Sequence, residues 1–295
     1  MSADETNLAM ESGASARRTA SRIQRIAYQG EPGAYSEAAI FEHFGADQQA
    51  VPCRTFDEVF SVVVSKKCDL GLVPIENSLA GSIHRNYDLL LQNPLEVIGE
   101  HNLHVRHCLI ARPGVKLGEI KKVISHPQAL AQCEVYLRDL PGVAVEQVYD
   151  TAGSVKMVRD LDERDTAAIA SRRAAQIYGM EILAEHIEDN PANFTRFLVI
   201  SRQPVDPGKD AKTSIVFSLR NQPGSLFKAM SVFALRDIDL TKIESRPLAG
   251  KPWEYFFYID FLGSIHEQKV ERALAHLEEY ALFMRVLGSY PRHVA

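Results

Sequence analysis

Asn193-Phe194-Thr195-Arg196-Phe197 sets a small hydroxyl beside a guanidinium, between two phenylalanines and ahead of the apolar run Leu198-Val199-Ile200. The run reads as a buried β-strand whose first turn carries polar chemistry into an apolar wall. A hydroxyl gives or takes a hydrogen bond, and arginine is always charged, with a planar fork of donors suited to a carboxylate. A charge among aromatic side chains needs an anion or a structural partner. Two partners are open for Arg196: a bound carboxylate, or the nearby acids Glu188 and Asp189.

Further polar chemistry collects at strand-to-helix junctions, clearest at Ser125-His126, at Thr151 with Gly153, and at Gly81-Ser82. Helix N-termini carry free N–H groups and a partial positive charge, so they hold carboxylates, although Ser and Thr also cap helices for structural reasons alone. Converging on a cleft, these junctions would hold a small polyanion, and with Arg196 a dicarboxylate is the natural guest. No Gly-x-Gly-x-x-Gly follows a strand and no phosphate-binding Gly-Lys-Ser/Thr loop is present, so no nucleotide cofactor is expected. His101, His104 and His107 recur every third residue, but Asn102 to Ile110 reads as one strand, where His104 points opposite to the other two. No metal site is expected there, and none from Cys53, Cys68, Cys108 and Cys133, which lack a Cys-x-x-Cys spacing.

The elements that must position these residues alternate in type. Ile26 to Tyr28 reads as a strand running into a Gly30-Glu31-Pro32-Gly33 turn and a helix. Thr55-Phe56-Asp57-Glu58 is a capping box opening a second helix. Asp69 to Ile75 is a strand, Glu76 to Ser82 a polar loop, and Arg85 to Leu91 a helix. Val123-Ile124 is a short strand followed by one helix to about Leu140. A strand over Val143 to Val148, a helix from Asp150-Thr151, a strand over Ala167 to Ala170 and a helix from Ser171 to Tyr178 complete the series. Alternation of this kind predicts an α/β fold with largely parallel sheets, in two lobes divided near residue 105.

A Pro/Gly-rich polar stretch over 203–211 reads as a linker. Beyond it the pattern strand, helix, strand, strand, helix, strand over 212–292 predicts the α+β ferredoxin-like arrangement.

Composition excludes several classes. The chain has 295 residues, 46% hydrophobic and 24% charged, with a net charge of −5. That length supports two cores, and that charge leaves no footprint for nucleic acid. Apolar runs such as Ile215-Val216-Phe217 are too short to span a bilayer, so no membrane contact is expected. Residues 1–24 lack a secretory apolar segment, and their acidic residues and missing amphipathic pattern do not suit a transit peptide; a disordered tail is expected. Cysteines in apolar periodic segments point to reduced thiols and a cytoplasmic protein.

Across residues 26–291 the chain closely resembles the prephenate dehydratases that carry a C-terminal ACT domain. The ordered motifs are Tyr28 to Ser36, Pro74-Ile75-Glu76-Asn77-Ser78, Gly81-Ser82-Ile83, Ser125 to Cys133, Asp150-Thr151-Ala152 and Asn193 to Phe197. In the second domain Pro223-Gly224-Ser225-Leu226 and Ile243-Glu244-Ser245-Arg246-Pro247 match the two regulatory motifs, with Ser225 where the family usually has Ala. Ser82 to Leu90 and Leu287 to Pro291 look like the branch that includes plant-type arogenate dehydratases.

The resemblance implies a catalytic domain over 25–202, two-lobed like a periplasmic binding protein, and an ACT domain over 212–292. It implies a cofactor-free conversion of prephenate to phenylpyruvate, carbon dioxide and water, or the equivalent reaction of arogenate. Thr195 would meet the departing hydroxyl, with Glu76 or Asp150 supplying the proton; for Glu76 a capping contact to its loop is the alternative. Arg196 would anchor a substrate carboxylate, and Asn77, Ser78, Ser82, Ser125, Gln132, Thr151, Asn193 and Phe197 would line the pocket. Phenylalanine would bind between paired ACT domains of a homodimer or homotetramer, at Asn221, Gly224, Ser225 and Leu226, with Glu244, Ser245, Arg246 and Pro247 from the neighbouring chain. A non-catalytic amino-acid sensor of the same fold is the other class of function.

Overall fold

The computed structural model describes residues 23–293 apart from 249 and 252. The expected tail therefore lies, up to residue 22, outside the described residues. The first lobe runs β1 (Arg25–Gln29), α1 (Tyr35–Phe44), β2 (Gln49–Cys53), α2 (Phe56–Val64), β3 (Leu70–Asn77), β4 (Gly81–Ser82), α3 (His84–Gln92) and β5 (Glu96–His104). The second runs β6 (Cys108–Ala111), β7 (Lys122–Ser125), α4 (Pro127–Ala131), α5 (Glu134–Arg138), β8 (Ala144–Gln147), α6 (Thr151–Leu161), β9 (Thr166–Ala170), α7 (Arg172–Tyr178) and β10 (Glu181–Glu185). The chain then returns to the first lobe as β11 (Phe194–Ser201). The C-terminal domain is β12 (Ala211–Leu219), α8 (Ser225–Ala234), β13 (Leu240–Pro247), β14 (Tyr255–Leu262), α9 (Gln268–Glu278) and β15 (Ala281–Pro291).

Each unit is built on one sheet. The first lobe has strand order β2-β1-β3-β11-β5, the second β10-β6-β9-β7-β8, and the C-terminal domain β13-β14-β12-β15. Strands buried on both faces carry unbroken apolar runs, as in Ile26-Ala27-Tyr28, Ala167 to Ala170 and Leu198-Val199-Ile200. The sheets are more mixed than expected. β1 is parallel to β2 and β3, and β7 to β8 and β9, but β11 runs antiparallel to β3 and β5, and β6 to β9 and β10. The returning strand enters from the far lobe, so it meets its neighbours head to tail.

Two local departures from the sequence reading matter for the cleft. The strand expected through His107 stops at His104, and Val105 to His107 crosses between the lobes. The helix expected from Pro127 to Leu140 breaks at Gln132-Cys133, where Cys133 takes φ −125° and ψ 25°. Asp189 fills the break: its carboxylate accepts the Val135 N–H at the start of α5, and its own N–H donates to the Gln132 carbonyl at 2.7 Å. This employs the acid that the sequence offered as a partner for Arg196.

The C-terminal sheet packs its helix-free face on the first lobe. Val216, Tyr258, Leu287 and Tyr290 share one apolar core with Leu89, Leu90, Val97, Leu198 and Ile200. Gly288 marks the closest approach, because a Cβ there would lie 2.0 Å from the Val97 carbonyl oxygen. Arg285 donates to the carbonyls of Leu90, Leu91 and Leu95, closing the end of α3.

Candidate active site

Thr195 pairs with Asn77 across β11 and β3, at the mouth of the crevice between the lobes. A cavity of about 120 Å³ opens there, lined by Tyr35, Asn77, Val105, His107, His126, Gln128, Ala129, Gln132, Thr151 and Thr195. A chain of hydrogen bonds crosses it from lobe to lobe. Asn77 Nδ2 donates to Thr195 Oγ1 at 3.0 Å and to Asn193 Oδ1 at 2.8 Å. Asn193 Nδ2 donates to Gln132 Oε1 at 3.0 Å, and Gln132 Oε1 lies 2.9 Å from His107 Nε2. His107 Nδ1 lies 2.7 Å from the Tyr35 hydroxyl.

This network fixes donors and acceptors. Gln132 Oε1 accepts from both Asn193 and His107, so His107 carries its proton on Nε2, and its Nδ1 shares the Tyr35 O–H with the Arg106 carbonyl, 2.9 Å from the same hydroxyl. Burial holds His107 below its ordinary pKa, so the ring is neutral. The Gln132 amide nitrogen has no hydrogen-bond partner among the described residues and lies on the cavity lining. Thr195 Oγ1 accepts from Asn77, which leaves its own hydrogen free to point into the cavity. Asn77 is held in turn, because its Oδ1 accepts the Leu79 and Ala80 N–H groups.

Of the residues expected to line the site, Thr195, Asn77, Gln132 and Thr151 do so directly, and Asn193 holds two of them from behind. His126 lines it from the Ser125-His126 junction, and sequence reasoning gave no site role to Tyr35, His107 or Gln128. Their signals were a Tyr at the first position of a helix after a Gly-Pro turn, and a histidine beside a strand end.

Six expectations are corrected by the side-chain geometry. Arg196 follows Thr195 in a strand and so projects from the opposite face. There Nε donates to Glu100 at 2.8 Å, Nη1 to Asp260 at 2.5 Å and Nη2 to the Tyr290 hydroxyl at 3.1 Å. The guanidinium is committed to Glu100 of β5 and to Asp260 and Tyr290 of the C-terminal domain, and it does not line the Thr195 cavity. Glu76 alternates with Asn77 in the same way and faces Lys242. Ser82 donates to Glu244 at 2.7 Å. Ser125, fully buried, donates to the Ile169 carbonyl at 2.6 Å. Ser78 donates to the Ala192 carbonyl and accepts the Phe194 N–H, so it fastens the segment entering β11. Phe197 is core.

Asp150 caps α6 through the Gly153 N–H at 2.6 Å and lines a neighbouring cavity of about 540 Å³ with Gly30, Glu31, Arg54 and Tyr149. Burial raises its carboxyl above the ordinary value; the Gly153 hydrogen bond opposes this, Glu31 adds to it, and His126 opposes it. His43 and His293 stack edge-on against His101, and His104 lies flat on Phe194 at 4.5 Å.

In the C-terminal domain Gly224 caps α8 with φ 80°, and Asn221, Ser225 and Leu226 line a cavity of about 110 Å³ with Trp253, Tyr255 and Phe257. The second regulatory motif does not reach this cavity within the chain. Along β13 its residues alternate, with Ser245 and Pro247 exposed and Glu244 and Arg246 facing the first lobe. Glu244 meets Ser82 and His84, and Arg246 Nη2 donates to Asp88 at 2.7 Å.

The fold therefore defines a two-lobed α/β binding-cleft protein of the periplasmic-binding-protein kind with a ferredoxin-like regulatory domain. Family models for prephenate dehydratase match residues 26–205 and for the ACT domain residues 213–279. "Arogenate dehydratase/prephenate dehydratase 2, chloroplastic" of Arabidopsis thaliana is 52% identical over 90% of this chain and 72% of its own. The solved prephenate dehydratase of Arthrobacter aurescens in complex with L-Phe is 34% identical, with a TM-score of 0.84 over 91% of this chain and 90% of its own. A further solved structure, "GqqA- a novel type of quorum quenching acylases", is 35% identical, with a TM-score of 0.85 over 92% of this chain and 98% of its own. The chain belongs to the prephenate dehydratase family and is an enzyme of the arogenate/prephenate dehydratase group. Among the described residues no helix is long and apolar enough to cross a membrane.

Proposed function

We propose that the Thr195 cleft converts prephenate to phenylpyruvate, with loss of the ring carboxylate as carbon dioxide and of the ring hydroxyl as water. The observation that carries this reading is the Asn77 Nδ2 hydrogen bond to Thr195 Oγ1, which leaves the hydroxyl able to donate into a cavity lined by neutral polar groups. Aromatisation drives the reaction, so the site needs only to orient the dianion, assist departure of the hydroxyl and exclude water. Thr195 hydrogen-bonds the leaving oxygen, and the Gln132 amide and the start of α6 at Thr151 receive carboxylate oxygens. Asp150, its carboxyl raised by burial and lying beside His126, is the acid that replenishes the proton.

No carboxylate lines the Thr195 cavity among the described residues. That favours the keto group of prephenate over the ammonium of arogenate, which would seek an anion. Hydrolysis of the acylase kind finds no support here, because the Thr195 hydroxyl is bonded to an amide and to no base. Phenylalanine binds the α8 loop, its carboxylate on the free N–H groups of Leu226 and Phe227 and its ring against Trp253, Tyr255 and Phe257. The exposed Leu226, Phe227 and Trp253 suit pairing of two C-terminal domains in a homodimer or homotetramer. Four buried free thiols suit the cytoplasm.

Turnover of prephenate and arogenate, measured side by side with and without phenylalanine, tests the reading. Prephenate is expected to have the higher kcat/KM, with inhibition by phenylalanine. Preference for arogenate would overturn the substrate assignment, and turnover of neither would point to the sensor.

A further inference from the structure

A second cavity, of about 410 Å³, lies on the other side of Tyr35 from Thr195. Its walls come from both lobes and from both crossovers: α1 supplies Tyr35, Ala38, Phe41 and Glu42, α7 supplies Arg172, Arg173 and Gln176, and the crossing segments supply Arg106 and His186. The floor is apolar, with Leu103 and Cys108 beneath the Phe41 and Tyr35 rings.

Its charges are selectively paired. Arg172 is bound by Glu185, and Arg173 by Glu37 while also stacking on Phe41 at 4.2 Å. Arg106 has no carboxylate within ion-pair distance among the described residues; its only side-chain bond runs from Nε to His104 Nδ1 at 3.3 Å. Glu42 has no lysine or arginine partner there, only His101 Nε2 at 3.4 Å, on a ring that burial holds neutral. Both side chains stand at the solvent-exposed rim of the cavity, Glu42 59% exposed, and their charges sense one another without meeting: partial burial raises the Glu42 carboxyl and the Arg106 charge lowers it. One unspent guanidinium, one unspent carboxylate and the apolar lining they share form the complement of a zwitterion with an apolar side chain.

We infer that this inter-lobe cavity binds a free α-amino acid with an apolar or aromatic side chain, carboxylate on Arg106 and ammonium on Glu42. The site is separate from the α8 loop, and neither of its two charged anchors lines the Thr195 cavity. Because both lobes and both crossovers wall it, occupation ties the lobes in one arrangement, and the shared Tyr35 reports it to the His107–Gln132 network.

Calorimetric titration of the full chain with L-phenylalanine tests the assignment. Two classes of site are expected. Arg106→Gln and Glu42→Gln should each weaken one class at least tenfold and leave the other, and Asn221→Ala should do the reverse. Exchange of the two charges, Arg106→Glu with Glu42→Arg, should restore part of the lost affinity. A single class of site that ignores Arg106 and Glu42 would overturn the inference. So would 3-phenylpropanoate, which lacks the ammonium, binding the Arg106-dependent class as tightly as phenylalanine.

Discussion

Lys242 of the C-terminal domain lies 2.5 Å from a carboxylate oxygen of Glu76, the residue immediately before Asn77. Asp260 grips Arg196, the residue immediately after Thr195, in the same manner. The regulatory sheet thus holds the backs of the two strands whose fronts present the cleft's amide and hydroxyl. A shift of that sheet is transmitted through one peptide unit at each point.

Replacing Arg196 by Lys tests this placement. One ammonium cannot satisfy Glu100, Asp260 and Tyr290 together, and the carboxylates of Glu100 and Asp260 are buried. The substitution should lower unfolding free energy by about 2–4 kcal/mol and leave KM within about threefold. Denaturant titration with steady-state kinetics measures both; a strongly raised KM at undiminished stability would return Arg196 to the substrate.

Thr195→Val keeps the shape of the side chain and removes its free hydrogen. Turnover should fall by about 10²–10⁴-fold with a melting temperature close to that of the parent, and Thr195→Ser should recover most of the loss. Near-normal turnover in the Val variant would remove the hydroxyl from the chemistry.

Burial and the neighbouring His293 push the pKa of His101 down to about 4 from an ordinary 6.5. The unfolded chain takes up that proton first as the pH falls. Stability is therefore complete above pH 6.5, declines between 6.5 and 4, and levels off below, a loss of about 3 kcal/mol at most. His101→Gln should flatten this segment of a stability–pH curve, and an unchanged slope would assign it to other groups.

A methyl group at position 288 cannot fit 2.0 Å from the Val97 carbonyl oxygen. Gly288→Ala should force β15 away from β5 and expose 203–210 to protease, at a cost of about 2 kcal/mol or more. A digestion pattern like the parent's would mean that the interface yields without cost.

Asp88→Asn should sharpen inhibition by phenylalanine. Arg246 is held by Asp88, so an effector that recruits β13 must first break that ion pair. Releasing it should lower the inhibitory concentration several-fold, about 1 kcal/mol of coupling. An unchanged inhibition curve would show that Arg246 stays on Asp88 throughout.

The alternation of elements, the two lobes and the βαββαβ domain were legible because each rests on local periodicity and turn chemistry. Thr195, Asn77, Gln132 and Thr151 were legible through ordered motifs. The misassignments of Arg196 and Glu76 share one cause: in a strand, neighbours face opposite sides, so Thr195-Arg196 and Glu76-Asn77 cannot both turn into one cleft. Ser125, Ser78 and Ser82 illustrate a different limit, since which acceptor a hydroxyl finds depends on segments far along the chain. The Gln132 break was hidden because Asp189, more than fifty residues on, supplies its cap.

β11 lies between β3 and β5, yet it follows the whole second lobe in the chain. During synthesis the second lobe, contiguous from 108 to 185, is complete while the first still lacks one of its interior strands. For the time the ribosome needs to add residues 105–193, β3 and β5 present unpaired edges to the cell. The strand that closes them is the one bearing Thr195, so a chain cut short before residue 194 loses its chemistry and its solubility together.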